Sequence, residues 1–413
     1  MRIDELNPWW KTSTVDESLA PPKHRDLFKT LSNGLFRKYI QVVVGLRRVG
    51  KSTLLFQLIK HLIVQGTKPL RIIYVSFDDP EARRKGVVGC LKDFTELTGE
   101  NYRTGALYLF VDEAQKSPDW ASELKLLYDN YKNIRIVVSG SAGLNLLAEA
   151  KRSLAGRALY YELKPLSFRE YLLFVESKAD VSKPQLYSEE LRKEFERYLK
   201  RPFPEIVHED DEAFIKTYVR ETVLEPVLFK DIPLHFRDID VLLIESIMQN
   251  FLTNPGTYLS VDSLSRDMKR AKTTIYRCLF YLEASLLTRR VMNFRPSTRS
   301  ASRKLARIYP YHPVLMLPYN PSDDKYAESL VASTLQARYY WREDGSEVDF
   351  LVDKTPVEVK YVGEVRQDDL RSIRRFMDKY GSDSGVVVTK NKEGVVDGVR
   401  LVPLWLLCLR GGV

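Results

Sequence analysis

The sequence predicts an α/β protein of several parts: a parallel sheet wrapped by helices, a helical stretch, a helix-turn-helix unit and a second α/β unit. Three observations lead there. Apolar β-like runs alternate with amphipathic stretches between about residues 30 and 165, as in a parallel sheet with crossover helices. The first run passes through a glycine-bounded turn straight into a helical pattern. Near the C-terminus, "SEVDFLVDKTPVEVKY" reads as two period-2 strands around a tight turn. With 413 residues and 44% hydrophobic content, the chain exceeds one ordinary domain and can bury two or three cores.

Composition narrows the class. A net charge of +9 favours a polyanionic partner without requiring one. Cys90, Cys278 and Cys408 are far apart with no CxxC or CxH pair, so neither a disulfide framework nor a zinc site is indicated. The five histidines show no ligand-like or triad-like spacing. "MRIDELNPWWKTS" lacks the apolar core of a signal peptide, and no stretch approaches the roughly 20 apolar residues of a spanning helix. The expectation is a soluble, cytoplasmic protein with no membrane partner.

Taken in order, "YIQVVVG", "RIIYVSF", "ALYLFVDE", "IRIVVSGS" and "ALYYELK" supply the strands of the first unit, residues 1–165. In "VVVGLRRVGKSTLLFQLIKHL" a β-branched strand runs through Gly45, four residues (Leu46, Arg47, Arg48, Val49) and Gly50-Lys51-Ser52-Thr53 into an amphipathic helix. Spacing and context both match the P-loop. Glycines let backbone N–H groups wrap a phosphate, the helix N-terminus adds positive potential, Lys51 reaches the β/γ oxygens and Ser52 ligates Mg²⁺. "ALYLFVDEAQ" ends a strand in carboxylates: Asp112 would hold Mg²⁺ through water and Glu113 would polarise the attacking water, unless Glu113 merely opens a helix. "IRIVVSGSA" ends a strand in Ser139 and Ser141, placed either to sense a γ-phosphate or simply to turn the chain.

Residues 166–240 are charged and helix-like, interrupted by Pro202 and Pro204, and suggest a helical lid. Within 241–310, Val261 to Arg270 form a first helix, "AKT" the turn, and Thr274 to Leu286 a second helix with Ile275, Leu279, Leu282 and Leu286 on one face. Lys272, Thr273, Tyr276 and Arg277 occupy the other face. Then "RRVMNFRPSTRSASRKLAR" carries Arg289, Arg290, Arg295, Arg299, Arg303, Lys304 and Arg307 without an acid, as a wing tracking DNA phosphates would. A winged helix serving only as a hinge is the alternative. Residues 311–413 form the last unit. Its hairpin alternates Val348, Phe350, Val352, Val357 and Val359 inward with Asp349, Glu358 and Lys360 on the opposite surface. Two carboxylates and a lysine can hold Mg²⁺ and orient a water against a phosphodiester; they can also be a charged cross-strand ladder.

This order of parts resembles the AAA-type ATPases, and most closely an archaeal and bacterial branch with a winged helix and a C-terminal domain of nuclease-like fold and unknown function. "NPWW", "GLRRVGKST", "FVDEAQ", "SGSA", "LAGRALYYELKPLSFREYL", "FPEIV" and the "EVDF…VEVK" hairpin carry the resemblance over almost the whole chain. It implies an arginine finger at Arg157, acting across a subunit boundary in an oligomer, with Arg152 a basic competitor and a solvated surface arginine the alternative. It also implies the D…ExK constellation of the restriction-endonuclease-like, PD-(D/E)xK fold at Asp349, Glu358 and Lys360, with Glu328 as the helical acid. Two departures stand out: "KRPFPEIV" lacks the usual glycine pair, and His312 in "RIYPYHPVL" replaces an acid. The expected activity is Mg²⁺-dependent ATP hydrolysis acting on DNA, branched DNA included, with optional cleavage. The rival is a nucleotide-dependent signalling switch whose last domain only binds a partner.

Overall fold

The computed structural model describes residues 2–141, 153–236, 239–295 and 306–413. They form two compact units that divide between Pro165 and Leu166.

In the first unit all five expected strands are present: β1 Ile40–Gly45, β2 Ile72–Ser76, β3 Leu107–Asp112, β4 Ile134–Ser141 and β5 Ala158–Glu162. They pair in parallel in the order β2-β3-β4-β1-β5. The runs are rich in Val and Ile because central parallel strands are covered on both faces, and β1, β2 and β3 are buried at every position. Helices Lys51–Val64, Pro80–Thr98 and Trp120–Asn130 make the crossovers. Trp120, Phe94, Phe77 and the inward residues of β1 to β4 form the core.

β2 is an edge strand, and its free backbone is not left to water. The Asn7 side chain accepts from the Tyr74 N–H at 2.7 Å and donates to the Tyr74 carbonyl at 2.9 Å. The indoles of Trp9 and Trp10 both donate to the Ile72 carbonyl, at 3.1 and 2.9 Å. The "NPWW" segment thus covers an edge that would otherwise invite pairing.

The second unit is built on a nine-stranded mixed sheet, ordered β13-β14-β12-β11-β10-β9-β7-β8-β6. Its strands are β6 Thr257–Tyr258, β7 Thr288–Asn293, β8 Ala306–Pro310, β9 Tyr339–Glu343, β10 Ser346–Val352, β11 Thr355–Lys360, β12 Gly385–Thr389, β13 Gly394–Val396 and β14 Val399–Pro403. Strands from the expected wing and from the expected C-terminal unit therefore share one sheet, joined by parallel pairing of β7 with β9. Helices Asp323–Thr334 and Leu404–Arg410 pack on one side around Phe350 and Val357. Helix Arg371–Tyr380 packs on the other, around Val348 and Trp341. Residues 166–236 are largely helical, including two π-helical stretches, Val219–Leu224 and Val227–Asp231. Cys90, Cys278 and Cys408 are buried free thiols. Among the described residues no helix is long and apolar enough to cross a membrane.

Two readings need correction. The first helix of the helix-turn-helix pair spans Val261–Asp267 and the second Lys272–Ala284, so "AKT" is not the turn; the chain reverses at Met268 to Ala271, with Lys269 at φ 50°. Leu286 lies beyond the second helix, and Cys278 takes its expected place on the buried face. In the C-terminal hairpin, a register shift between Val348 and Leu351 breaks the alternation. A bulge turns consecutive residues towards the same side, so Val348 and Phe350 enter different cores.

Candidate functional site

At the C-terminal ends of β1, β3 and β4 the sequence brings its first set of candidates together. Gly50 ends the turn at φ 92°, ψ 29°, a left-handed conformation costly to any residue with a Cβ. Gly45 has a different reason: a Cβ there would lie 2.2 Å from the Leu163 carbonyl oxygen. The turn Leu46, Arg47, Arg48, Val49 closes on itself through Lys51, whose buried ammonium donates to the carbonyls of Gly45 at 3.2 Å and Leu46 at 2.8 Å. Arg25, unmarked in the sequence, braces the turn from outside, donating to the Val49 carbonyl at 2.7 Å and the Lys164 carbonyl at 2.8 Å.

Asp112 is the hub. Ser52 Oγ, at the start of the helix Lys51–Val64, donates to its Oδ2 at 2.6 Å. Tyr74 on β2 donates to the same oxygen at 2.9 Å, and Ser139 on β4 bonds Oδ1. The Glu113 N–H also reaches Oδ1, at 3.1 Å. Glu113 itself sits in a left-handed conformation (φ 52°, ψ 41°) and begins a 3₁₀ turn. Its carboxylate accepts from Gln115 Nε2 at 2.7 Å and lies 3.7 Å from Lys116 Nζ. Burial, then the Asp112 charge, raises the Tyr74 phenol well above its ordinary pKa, so it stays a donor. Thr53 follows in the first turn of the helix; the side chain of Ser141 lies outside the described residues.

A hydroxyl and one carboxylate meeting at a helix N-terminus is the protein share of a Mg²⁺ that arrives with substrate phosphates. Among the described residues no three His, Cys, Asp or Glu side chains are arranged to hold a metal by themselves. Ser52 and Asp112 therefore fit a nucleotide-borne Mg²⁺.

Arg157 lies elsewhere. It precedes β5, at the opposite end of the sheet from Ser52 and Asp112, and makes a two-pronged bond to Asp129 at 2.7 and 3.1 Å. Arg152 lies outside the described residues.

The second set, in the C-terminal unit, is more buried than its pattern implied. Glu358 is 8% exposed. Asp349 accepts from the Val359 N–H at 2.9 Å, and Glu358 Oε1 pairs with Lys360 Nζ at 3.0 Å. Glu328 accepts from the Tyr309 hydroxyl at 2.6 Å. Arg307, expected on a DNA-facing wing, is instead inside: its Nη1 lies 3.5 Å from Glu328 and 3.3 Å from Asp349, and its Nη2 pairs with Glu347. Burial, then the neighbouring charge of Asp349, raises the carboxyls of Glu328 and Glu358; burial raises Asp349 too, against the pull of Arg307. The expected metal acids are thus bridged by their own arginine and lysine.

The basic candidates divide. Lys272, Thr273, Tyr276 and Arg277 do share an exposed face of the second helix, with Lys272 paired to Asp262 and Arg277 Nε 3.3 Å from the Tyr281 hydroxyl. The expected unrelieved basic row is not what the fold presents. Arg289 donates to the carbonyls of Ala332 and Tyr311, Arg290 pairs with Glu283 at 2.6 Å, and Arg295 lies 3.5 Å from Glu343. The acids come from other segments, which a linear reading does not bring near. Arg299, Arg303 and Lys304 lie outside the described residues. Arg25, Tyr74, Gln115 and Glu347 escaped the sequence reading because no motif marks them; only a tyrosine on the strand beside the carboxylate strand hinted at Tyr74.

Residues 37–172 match the family model described as an AAA domain. This is a P-loop ATPase type of domain. Residues 192–316 and 326–407 match two families described only as domains of unknown function, DUF8612 and DUF4143. Two similar proteins of Methanocaldococcus jannaschii are both uncharacterized: one is 31% identical over 270 residues (60% of this chain, 55% of the relative), the other 26% identical over 395 residues (89% and 87%). An uncharacterized Haemophilus influenzae protein is 26% identical over 249 residues, 59% of each chain. The chain thus spans little more than half the length of two of these relatives.

Proposed function

We propose that this protein is a Mg²⁺-dependent AAA-type ATP hydrolase that works on DNA as a homo-oligomer. The observation that carries the hydrolase is the meeting of Ser52 and Asp112 at 2.6 Å across the ends of β1 and β3, with Lys51 held in the turn between. Backbone N–H groups of Gly45 to Thr53 would cradle the ATP phosphates, and Lys51 would leave its carbonyl partners for the β/γ oxygens. Ser52 and Asp112 would hold Mg²⁺, which neutralises charge developing on the transferred phosphoryl group. Glu113 would exchange Gln115 for the attacking water and take up its proton, while Ser139 holds Asp112 in place. Arg157 would release Asp129 and reach the site of a neighbouring copy. Steady-state ATP hydrolysis tests this. Lys51→Ala, Asp112→Asn and Glu113→Gln should each lower kcat by roughly 10²-fold or more; Lys51→Ala at the wild-type rate would sink the proposal.

For DNA, the support is the exposed face Lys272, Thr273, Tyr276 and Arg277 and the net charge of +9. DNA-stimulated turnover and a steep loss of binding with salt are expected. A second reading, a nucleotide-driven switch whose C-terminal unit binds a partner without cutting, draws support from Arg307 between Glu328 and Asp349. Labelled duplex, forked and four-way DNA incubated with ATP and Mg²⁺ beside Asp349→Ala separates them. Cleavage lost in the variant means a nuclease with Asp349, Glu358, Lys360 and Glu328 as its site; intact strands and no DNA stimulation mean a switch.

A further inference from the structure

We infer that Tyr74 is a positioning residue for the Mg²⁺-binding carboxylate Asp112, and that the N-terminal segment sets it through Asn7. This rests on the ATP-hydrolase reading. Asp112 Oδ2 has two hydroxyl donors with different fates. Ser52 would turn its oxygen towards the metal once Mg·nucleotide binds, which ends its donation to Asp112. Tyr74 has no such second task, so its 2.9 Å bond is the one that can persist on that oxygen and fix the direction in which Asp112 presents its free lone pair.

The geometry around Tyr74 is that of a built support. The ring is buried at 5% exposure and packs on Phe56, one turn along the helix that begins with Lys51 and Ser52, at a centroid distance of 4.7 Å. Trp9 closes the other side edge-on at 6.5 Å. Its backbone is clamped in both directions by Asn7, which has no exposed surface and donates also to the Ile3 carbonyl at 2.7 Å. An Asn side chain reproduces the donor and acceptor of a peptide group, so Asn7 acts as one residue of a sixth strand at the edge. Sliding β2 by a fraction of an ångström would carry the hydroxyl away from Asp112; the clamp and the two indoles on Ile72 oppose that slide.

The test measures binding of a fluorescent ADP analogue to the full chain, with and without Mg²⁺, so that metal capture is read without turnover. Wild type should bind more tightly with Mg²⁺. Tyr74→Phe keeps the ring and removes the donor; its metal-free affinity should be unchanged and its Mg²⁺ midpoint should rise by roughly 10-fold, the scale of losing a group that orients a metal ligand. Asn7→Ser should raise the midpoint in the same direction by a smaller factor, and stands in if Tyr74→Phe does not fold. Trp10→Phe, which leaves Asn7 and Tyr74 intact but removes one of the two indole bonds to Ile72, should raise it by less than Asn7→Ser does. An unchanged midpoint in a folded Tyr74→Phe or Asn7→Ser protein overturns the inference. Asp112→Asn is the reference: if it too leaves the Mg²⁺ effect intact, the hydrolase site itself is misassigned, whereas loss there alone rejects only the role of Tyr74.

Discussion

Replacing Arg307 by methionine should destabilise the C-terminal unit, and more so at high pH. The guanidinium side chain is 14% exposed and lies within 3.5 Å of Glu328 and 3.3 Å of Asp349, with Glu347 on its other nitrogen. Its charge also stacks 5.4 Å from the centroids of Tyr258 and Tyr340. Removing one partner of a buried ionic group costs about 3–5 kcal/mol because the other charges stay buried. For a unit of this size that is a fall of about 6–20 °C in Tm. The sign of the pH effect follows from the carboxyls. Burial already raises Glu328 and Asp349, and losing Arg307 raises them further. A carboxyl raised in the folded state contributes fully below its unfolded pKa, near 4.5, and loses that contribution as pH rises through the folded value. Calorimetry at about pH 5 and pH 8.5 should therefore find the larger deficit at the higher pH, with Arg307→Met/Asp349→Asn recovering part of it. A loss below about 1 kcal/mol, or an equal loss at both pH values, would refute Arg307 as the keystone of the cluster.

Other perturbations have equally definite outcomes. Glu358, raised to about 8 by burial and by Asp349, should make wild-type stability fall between about pH 5 and pH 8 and level off above; Glu358→Gln should flatten that fall by up to about 1.4 kcal/mol per pH unit in urea titrations. Gly45→Ala places a methyl 2.2 Å from the Leu163 carbonyl oxygen, and should cost at least about 1–3 kcal/mol while weakening nucleotide binding. Arg289→Met strips donors from the Ala332 and Tyr311 carbonyls and should lower stability by about 1–3 kcal/mol, with DNA affinity changed no more than by an equal loss of stability elsewhere.

What the sequence made legible was local. Five apolar runs became five parallel strands because a run's burial and β-branching are its own properties, and the P-loop pattern is read from spacing together with the strand and helix that flank it. What it hid was carried by distance. Asn7 reaches Tyr74 across 67 positions, and Arg307 meets Asp349 across 42. The basic row read as a DNA wing on composition, yet its acids sit on the second helix, on β9 and β10 and on helix Asp323–Thr334. The hairpin failed for another reason: period-2 alternation assumes an unbroken ladder, and one bulge reassigned Phe350 and Val348 to opposite cores.

The pairing of β7 with β9 reaches into inheritance. Met292 and Phe294 give their N–H groups to the carbonyls of Arg338 and Tyr340, and Asn293 exchanges two further bonds with Arg342. Residues 192–316 and 326–407 match separate families, yet a recombination joint between them would cut one sheet in two and bare the edge of each half. A fragment ending near residue 316 should aggregate rather than fold, and two such halves can be exchanged between relatives only where this strand pair still fits. The two stretches should therefore melt in a single transition.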